Sequence, residues 1–172
     1  MRRSVFIMVT EPSQTGTERE ILEGMVDFYR AVVVRKLEGL DEVAARRVFT
    51  PTGLSPIGVV NHLIGVELWW YLEVLESTLP EYPWTETDYE ADRDCDWKPS
   101  TDRTVDVVLA DYRRACALAR DAAARHHLDE IRDAGSRRVS LRWIHVHMIE
   151  ELARHTGHLD LMRESIDGAT GD

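Results

Sequence analysis

The sequence predicts an all-α protein, a four-helix bundle with a long connection between its second and third helices. Four long segments carry apolar residues at helical spacing, and no stretch alternates between apolar and polar residues as a half-buried strand would. All six prolines lie outside the interiors of these segments, where a proline would break a helix. Four helices with one long connection are typical of a bundle that has a crossover.

The predicted helix starts follow from residues that cap helices. Thr17 and Glu20 have the spacing of a capping box. Ser55 is a favourable N-cap for the second helix, and Pro56 suits its first helical position. Thr101 is the expected N-cap of the third helix. The four helices are therefore expected over residues 18–38, 56–77, 102–125 and 141–166.

The fourth helix follows Ser140 as N-cap and should end at Gly168, since glycine readily takes the left-handed conformation beyond a helix end. The connection between the second and third helices spans residues 78–100 and holds Trp84 and Trp97 among many acidic residues. A loop of this length usually packs over part of the protein or contributes to a site.

Length and composition predict one globular domain over residues 1–172, with 44% hydrophobic residues to form a core. The net charge of −10 argues against nucleic acid or an anionic membrane as partner, because both require a basic surface. No apolar run is long enough to span a bilayer. The apolar stretch of residues 5–9 is too short for a signal peptide and no small-residue cleavage site follows closely, so we expect a cytoplasmic protein.

The two cysteines, Cys95 and Cys116, form no CxxC motif and are too few for a disulfide framework. Cys116 lies among apolar helix positions and is expected to be a small core residue. Cys95 lies in the acidic connection and is expected to be exposed, with a catalytic thiol there as a lesser alternative. All but two of the 21 basic residues are arginine, which suggests a GC-rich genome.

Strong metal ligands fall on the apolar side of the fourth predicted helix. Glu151 and His155 are one turn apart, and both lie within about 60° of the middle of the apolar stripe. His158 is nearly as close to that stripe. Burying such groups is costly unless something binds them, and a divalent metal would do so. The alternative is a set of core histidines that ordinary hydrogen bonds satisfy.

The second predicted helix supplies a further inward histidine. His62 shares a face with Val59, Val66 and Trp69. A lone histidine of this kind is usually a core residue, but together with Glu151 and His155 it would complete a three-ligand site. Three protein ligands leave a position open for water or substrate, as in catalytic zinc sites.

Other chemical motifs are missing from the sequence. It contains neither the His-Glu-x-x-His motif of zinc proteases nor the Glu-x-x-His motif of di-iron bundles. It also lacks a glycine-rich phosphate loop and a nucleophile elbow. His126 and His127, at the end of the third helix, are interpreted as a solvated helix cap.

Two segments around these ligands, residues 55–67 and 141–168, resemble the DinB/YfiT-like superfamily, and more closely a mostly actinobacterial branch of it. The His-Thr-Gly-His of residues 155–158 is similar to the His-Arg-Gly-Gln that closes the metal motif in many members. The resemblance covers nearly the whole chain. It implies an up-down-down-up four-helix bundle with a divalent metal near one end.

The resemblance also implies a ligand set and a class of substrate. Many members use three histidines, whereas Glu151 here takes the place of the first histidine of the last helix. The related mycothiol-dependent maleylpyruvate isomerase uses a His, Glu, His set. Zinc is the expected metal, with nickel and iron as alternatives. His147 and His158 would flank the ligands as hydrogen-bond partners or as a proton relay.

Several members are transferases or isomerases that use mycothiol, bacillithiol or glutathione, and the GC-rich signature favours mycothiol. The first hypothesis is therefore a divalent-metal-dependent, mycothiol-type S-transferase or isomerase acting on a small molecule. The second is a non-catalytic homodimeric bundle that binds metal or a small ligand. The third is that the histidines are structural and hold no metal.

We also expect a homodimer. One small bundle has little room to bury three large aromatic side chains, those of Trp69, Trp70 and Trp143. Aromatic residues are enriched at interfaces between proteins. The alternative is that these rings pack under the long connection.

Overall fold

A computed structural model describes residues 9–135 and 137–171 of the chain. The long helices are α1 (Glu18–Leu37), α3 (Pro56–Leu68), α5 (Val105–Ala124) and α6 (Leu141–Asp167). The shorter elements are α2 (Glu42–Ala45), α4 (Glu86–Ala91), a 3-10 turn (Cys95–Trp97) and the strands β1 (Ile131–Ala134) and β2 (Arg137–Ser140). The predicted all-α bundle is confirmed. Residues 1–8, which bear on the signal-peptide argument, lie outside the described residues.

Helices α1 and α6 pack together and run parallel. Glu18, at the start of α1, forms an ion pair with Arg142 at the start of α6. Lys36, near the end of α1, pairs with Asp160 in the C-terminal part of α6. Because both ends match, the first and last helices of the bundle point the same way. In the described part of the chain, no helix is long and apolar enough to cross a bilayer.

The two middle helices run opposite to the outer pair. Tyr71, just beyond the end of α3, lies 2.9 Å from His145 near the start of α6, measured from Tyr71 Oη to His145 Nδ1. Glu76, after the end of α3, pairs with Arg125 at the end of α5, so α3 and α5 are parallel. The order is therefore up-down-down-up.

Most of the predicted helix boundaries are confirmed. Thr17 and Glu20 form both hydrogen bonds of a capping box at α1. Ser55 and Ser140 cap α3 and α6 through their hydroxyl oxygens. Gly168 ends α6 with a φ of 75°, the left-handed region that glycine enters without a steric penalty.

The predicted N-cap of the third long helix, Thr101, is wrong. Helix α5 begins after Thr104, whose side chain accepts a hydrogen bond from the backbone N–H three residues later. The guanidinium of Arg46 donates to the backbone oxygens of Ser100 and Arg103 and holds the intervening residues in a turn. Tertiary hydrogen bonds therefore decide between two threonines that are equally suitable as caps.

The second long helix is less regular than its spacing predicts. Its α-helical part ends at Leu68, and residues Trp69–Leu75 continue as a π-helix. Ser77 then takes a positive φ of 56°, which ends the helix. Over so few residues, a shift from α to π spacing changes the apolar pattern too little to be recognised in sequence.

A short antiparallel hairpin precedes α6, which corrects the expectation of a chain without strands. Strand β1 pairs with β2, with Ile131 opposite Ser140. Val139 is buried, whereas Ile131 is half exposed and its neighbours are charged. The hairpin therefore lacks the alternating pattern by which a strand is recognised.

A buried ion pair lies between α1 and α3 within the apolar core. Arg30 Nε and Nη2 donate to the two carboxylate oxygens of Glu67 at 2.8 and 2.6 Å. Glu67 is fully buried, and Arg30 is 5% exposed. The thiol of Cys116 lies 3.8 Å from Glu67 Oε1, and burial raises the pKa of that thiol. Cys116 is thus a core residue, as predicted.

The buried His145 should make the protein less stable as the pH is lowered. Burial, followed by the charges of Arg30 and Arg19, lowers its pKa from 6.5 to about 4. Between these values the unfolded chain binds a proton that the folded protein does not, so stability is lost as pH falls through this range. The loss due to His145 should reach about 3 kcal/mol near pH 4. Urea unfolding from pH 7 to 4 should show a smaller loss for His145→Gln; equal losses would contradict this expectation.

Candidate metal centre

Helices α3 and α6 bring the three predicted ligands together. Ligand atoms of His62, Glu151 and His155 all lie within 4.8 Å of one another. His62 Nε2 is 3.8 Å and His155 Nε2 is 3.2 Å from Glu151 Oε1. Glu151 and His155 are neighbours because they are one helical turn apart on α6. The three donors therefore converge from two helices, and metal binding by them stays a prediction.

The charge state of this cluster suits a cation. The hydrogen bond with His155 and the nearby ring of His62 hold the pKa of Glu151 well below its usual range, so the carboxylate is ionised. Burial lowers the pKa of His62, but the hydrogen bond to Asp96 and the nearby Glu151 carboxylate outweigh this effect, and the pKa rises above its ordinary value. The ionised Glu151 can therefore attract a cation at a place mostly shielded from solvent, where a divalent ion would have to displace the proton that the raised pKa of His62 favours.

The long connection contributes a residue that the sequence argument missed. Asp96, in the 3-10 turn, places Oδ2 at 2.6 Å from His62 Nδ1. The neighbouring Trp97 stacks on the His62 ring, with ring centroids 3.8 Å apart and an interplanar angle of 14°. Trp97 also lies 5.3 Å from the ring of His155. The connection therefore covers the cluster on one side.

Two glycines of α3 let the connection lie directly against the helix. A Cβ at Gly58 would be 2.3 Å from the backbone oxygen of Trp97, and a Cβ at Gly65 would be 2.5 Å from the ring of Trp84. These glycines are about two helical turns apart and so face the same way. The expectation that the connection packs over part of the protein is confirmed at these two points.

The two flanking histidines occupy different positions. His158 Nδ1 lies 3.4 Å from His155 Nδ1, on the side of the ring away from Glu151. The His147 ring is stacked on Trp143, with centroids 5.1 Å apart, and forms a T-shaped contact with Trp70. His158 thus contacts a predicted ligand directly, whereas His147 lies beside the cluster.

A second group of potential ligands overlaps the first. Ligand atoms of His147, Glu150 and Glu151 also lie within 4.8 Å of one another. Glu150, however, is nearly half exposed and forms an ion pair with Arg154, which neutralises it. The group with His62 and His155 is the more enclosed of the two, and it combines donors from two helices.

The histidine pair after α5 lies outside this cluster. His127 is exposed, in agreement with its interpretation as a solvated residue. His126 is only 12% exposed in its side chain and contacts Glu130 and Glu76. The interpretation of His126 as solvated is therefore wrong, because two carboxylates from neighbouring segments enclose its ring.

Comparison with known proteins identifies the family. A family model described as Mycothiol-S-transferase matches residues 21–168, which include all the residues of the cluster. The chain belongs to the mycothiol-S-transferase family. No curated protein matches the chain. Membership of this mycothiol-S-transferase family confirms the resemblance to the DinB/YfiT-like superfamily, and it makes a mycothiol-related thiol transfer the activity of the family to which the chain belongs.

Proposed function

We propose that the protein is a divalent-metal-dependent S-transferase that joins mycothiol to a small electrophile, with His62, Glu151 and His155 as metal ligands. The convergence of these three donors within 4.8 Å is the observation that carries the proposal. Family membership supports the thiol and the reaction type. The donor set supports the metal.

The residues present fit such an ion. Two imidazole nitrogens and one ionised carboxylate suit zinc, and they also suit nickel or iron. Each imidazole has its Nε2 toward Glu151 and its Nδ1 occupied by another side chain. When bound, a divalent ion would lower the pKa of a coordinated thiol and favour the nucleophilic thiolate at neutral pH.

The remaining residues would shape the site around the reacting thiol. Trp97 covers one face of His62 and keeps water from it. His147 has a pKa lowered by burial, so its imidazole is neutral and can accept the proton that the thiol loses. Its Nδ1 lies 3.5 Å from Glu150 Oε2, but the ion pair of Glu150 with Arg154 weakens the support that this carboxylate would give to the imidazolium. His158 would hold the ring of His155 in place.

The thiol nucleophile has to come from a co-substrate. Cys116 lies in the core beside Glu67, and burial raises the pKa of its thiol. Burial and the negative charge of Asp96 raise the pKa of Cys95, which disfavours its thiolate. Neither cysteine has the cationic surroundings of a catalytic thiol, which supports an external thiol such as mycothiol.

The test is to measure metal content and thiol conjugation on the same preparation. The purified protein should contain about one divalent ion per chain. With mycothiol and the electrophile monochlorobimane, conjugation should require the ion, stop after chelation and return when zinc is added back. A bound ion without conjugation would favour a non-catalytic metal-binding bundle. The absence of any ion after growth in metal-supplemented medium would leave the histidines with a structural role.

We also propose that the protein is a homodimer. Trp143 is 45% exposed on α6, while Trp70 is buried and Trp69 half-buried, so one of the three tryptophans lies on an outer surface. Val146, one turn further along α6, is 53% exposed and extends the apolar surface. Sedimentation at micromolar concentration should give the mass of a dimer, and Trp143→Glu should shift it to a monomer. A monomeric wild type would contradict the proposal.

A further inference from the structure

The contacts between Asp96 and α3 fix its carboxylate in one position. Asn61 Nδ2 donates to the backbone oxygen of Asp96 at 2.6 Å, and Arg103 Nε donates to Asn61 Oδ1 at 3.1 Å. The stacking of Trp97 on His62 holds the next residue of the turn. These contacts hold the backbone of Asp96 and the residue that follows it, and so keep the Asp96 carboxylate beside His62.

The Asp96 side chain is only 15% exposed, and its contact with His62 accounts for only one of its two carboxylate oxygens. Its Oδ2 contacts His62 Nδ1, while Oδ1 is buried and has no hydrogen-bond partner within residues 9–135 and 137–171. Burying a carboxylate with one oxygen unpaired is unfavourable. A structural role in docking the connection would be served as well by an apolar residue, so the carboxylate itself requires an explanation.

We propose that Asp96 is a positioning residue that sets the tautomer of His62 and thereby the affinity of the metal site. This inference rests on the function proposed above. A carboxylate can only accept a hydrogen bond, and Asp96 Oδ2 at 2.6 Å is much closer to His62 than Glu151 Oε1 at 3.8 Å, so the proton of a neutral His62 lies on Nδ1. The lone pair of His62 is then on Nε2, which faces Glu151 Oε1 at 3.8 Å. The ring is thus oriented to bind before any ion arrives.

The second histidine of the cluster differs in this respect. His155 Nδ1 has the imidazole nitrogen of His158 as its neighbour at 3.4 Å, and a neutral imidazole can donate or accept. On its other side, His155 Nε2 lies 3.2 Å from the Glu151 carboxylate, which can only accept, so without an ion the proton of a neutral His155 lies on the nitrogen that would bind the metal. Of the two histidines, His62 on α3 is therefore the one whose tautomer is ready to bind the ion, and this tautomer depends on Asp96 of the connection.

The test compares zinc affinities of Asp96→Asn and a matched control. Asparagine has the same size, but its amide can also donate to Nδ1 and favour the wrong tautomer. Loss of such an outer partner should weaken zinc binding by about 10–100-fold, measured by competition with a chromophoric chelator. Asp94→Asn, two residues away on the exposed surface of the same segment, should leave the affinity unchanged.

Two further measurements separate positioning from a general structural effect. In the metal-free protein, nitrogen chemical shifts of His62 should report a proton on Nδ1 in the wild type and a mixture of tautomers in Asp96→Asn. At the higher zinc concentrations that a His62→Ala background requires, adding Asp96→Asn should weaken the residual binding no further, because Asp96 acts through His62.

The outcomes distinguish this inference from the proposed function. If the wild type binds no divalent ion, the proposed function fails. If the wild type binds zinc and Asp96→Asn binds it equally well, the positioning role of Asp96 is overturned while the metal site stands. A lower melting temperature of Asp96→Asn with unchanged zinc affinity would reduce Asp96 to docking the connection and would also overturn the inference.

Discussion

Arg30→Met is expected to destabilise the protein by about 3–5 kcal/mol. The substitution removes both hydrogen bonds to Glu67 and leaves a fully buried carboxylate without its counter-charge. For a chain of this length the melting temperature should fall by about 6–20 °C. Urea unfolding of the metal-free variant would measure the change in free energy directly.

Two controls show whether burial of the ion pair is responsible. Arg120→Met breaks an exposed ion pair with Asp27, and such pairs contribute less than about 1 kcal/mol. The double variant Arg30→Met/Glu67→Leu replaces the buried pair with apolar groups and should recover most of the lost stability. A loss for Arg30→Met no greater than that for Arg120→Met would contradict the expected cost of an unpaired Glu67.

His62→Ala is expected to have the largest effect on function. Conjugation of mycothiol to monochlorobimane should fall by more than about 100-fold, because losing a metal ligand costs more than losing an outer partner. Zinc should also stabilise the wild type by about 2.7 kcal/mol at 100 times the dissociation constant, since it binds the folded state alone. Calorimetry with and without zinc should show this increment in the wild type and its loss in His62→Ala.

The matched control is His127→Ala, which removes an exposed histidine away from the cluster. It should retain both the conjugation rate and the zinc-dependent rise in melting temperature. His155→Ala should behave like His62→Ala, because the Nε2 atoms of both histidines lie near the same Glu151 oxygen. Wild-type conjugation by His62→Ala would place the reaction elsewhere on the protein.

Much of the fold could be predicted because its determinants are local. The capping residues and the apolar spacing fixed the ends of α1 and α6, and the pattern of inward residues placed His62 on the same side as Glu151 and His155. Helical spacing relates residues three and four apart, so ligand pairs on one helix are visible in sequence. The ligands of two helices could be assigned to one site because the inward faces of the helices in a four-helix bundle meet in a single core.

The rest depended on contacts that are distant in sequence. Asp96 is one of many acidic residues in the connection, and nothing in its immediate neighbours distinguishes it. Its role as a contact of His62 arises from the docking of the connection on α3. The start of α5 was likewise decided by Arg46, which lies on a separate segment. Local helix propensity cannot predict where a helix begins or which loop residue contacts a site when distant residues determine both.

The close approach at Gly58 limits which residues evolution can accept there. A methyl group at this position would collide with the backbone of Trp97, not with a flexible side-chain tip, and would also crowd Ser55, which caps α3. The added carbon would therefore push the connection away from His62, although position 58 is one helical turn from it. A Gly58→Ala exchange would thus have the same effect as a substitution at the metal centre. Position 58 should therefore tolerate substitution as poorly as the proposed metal ligands do.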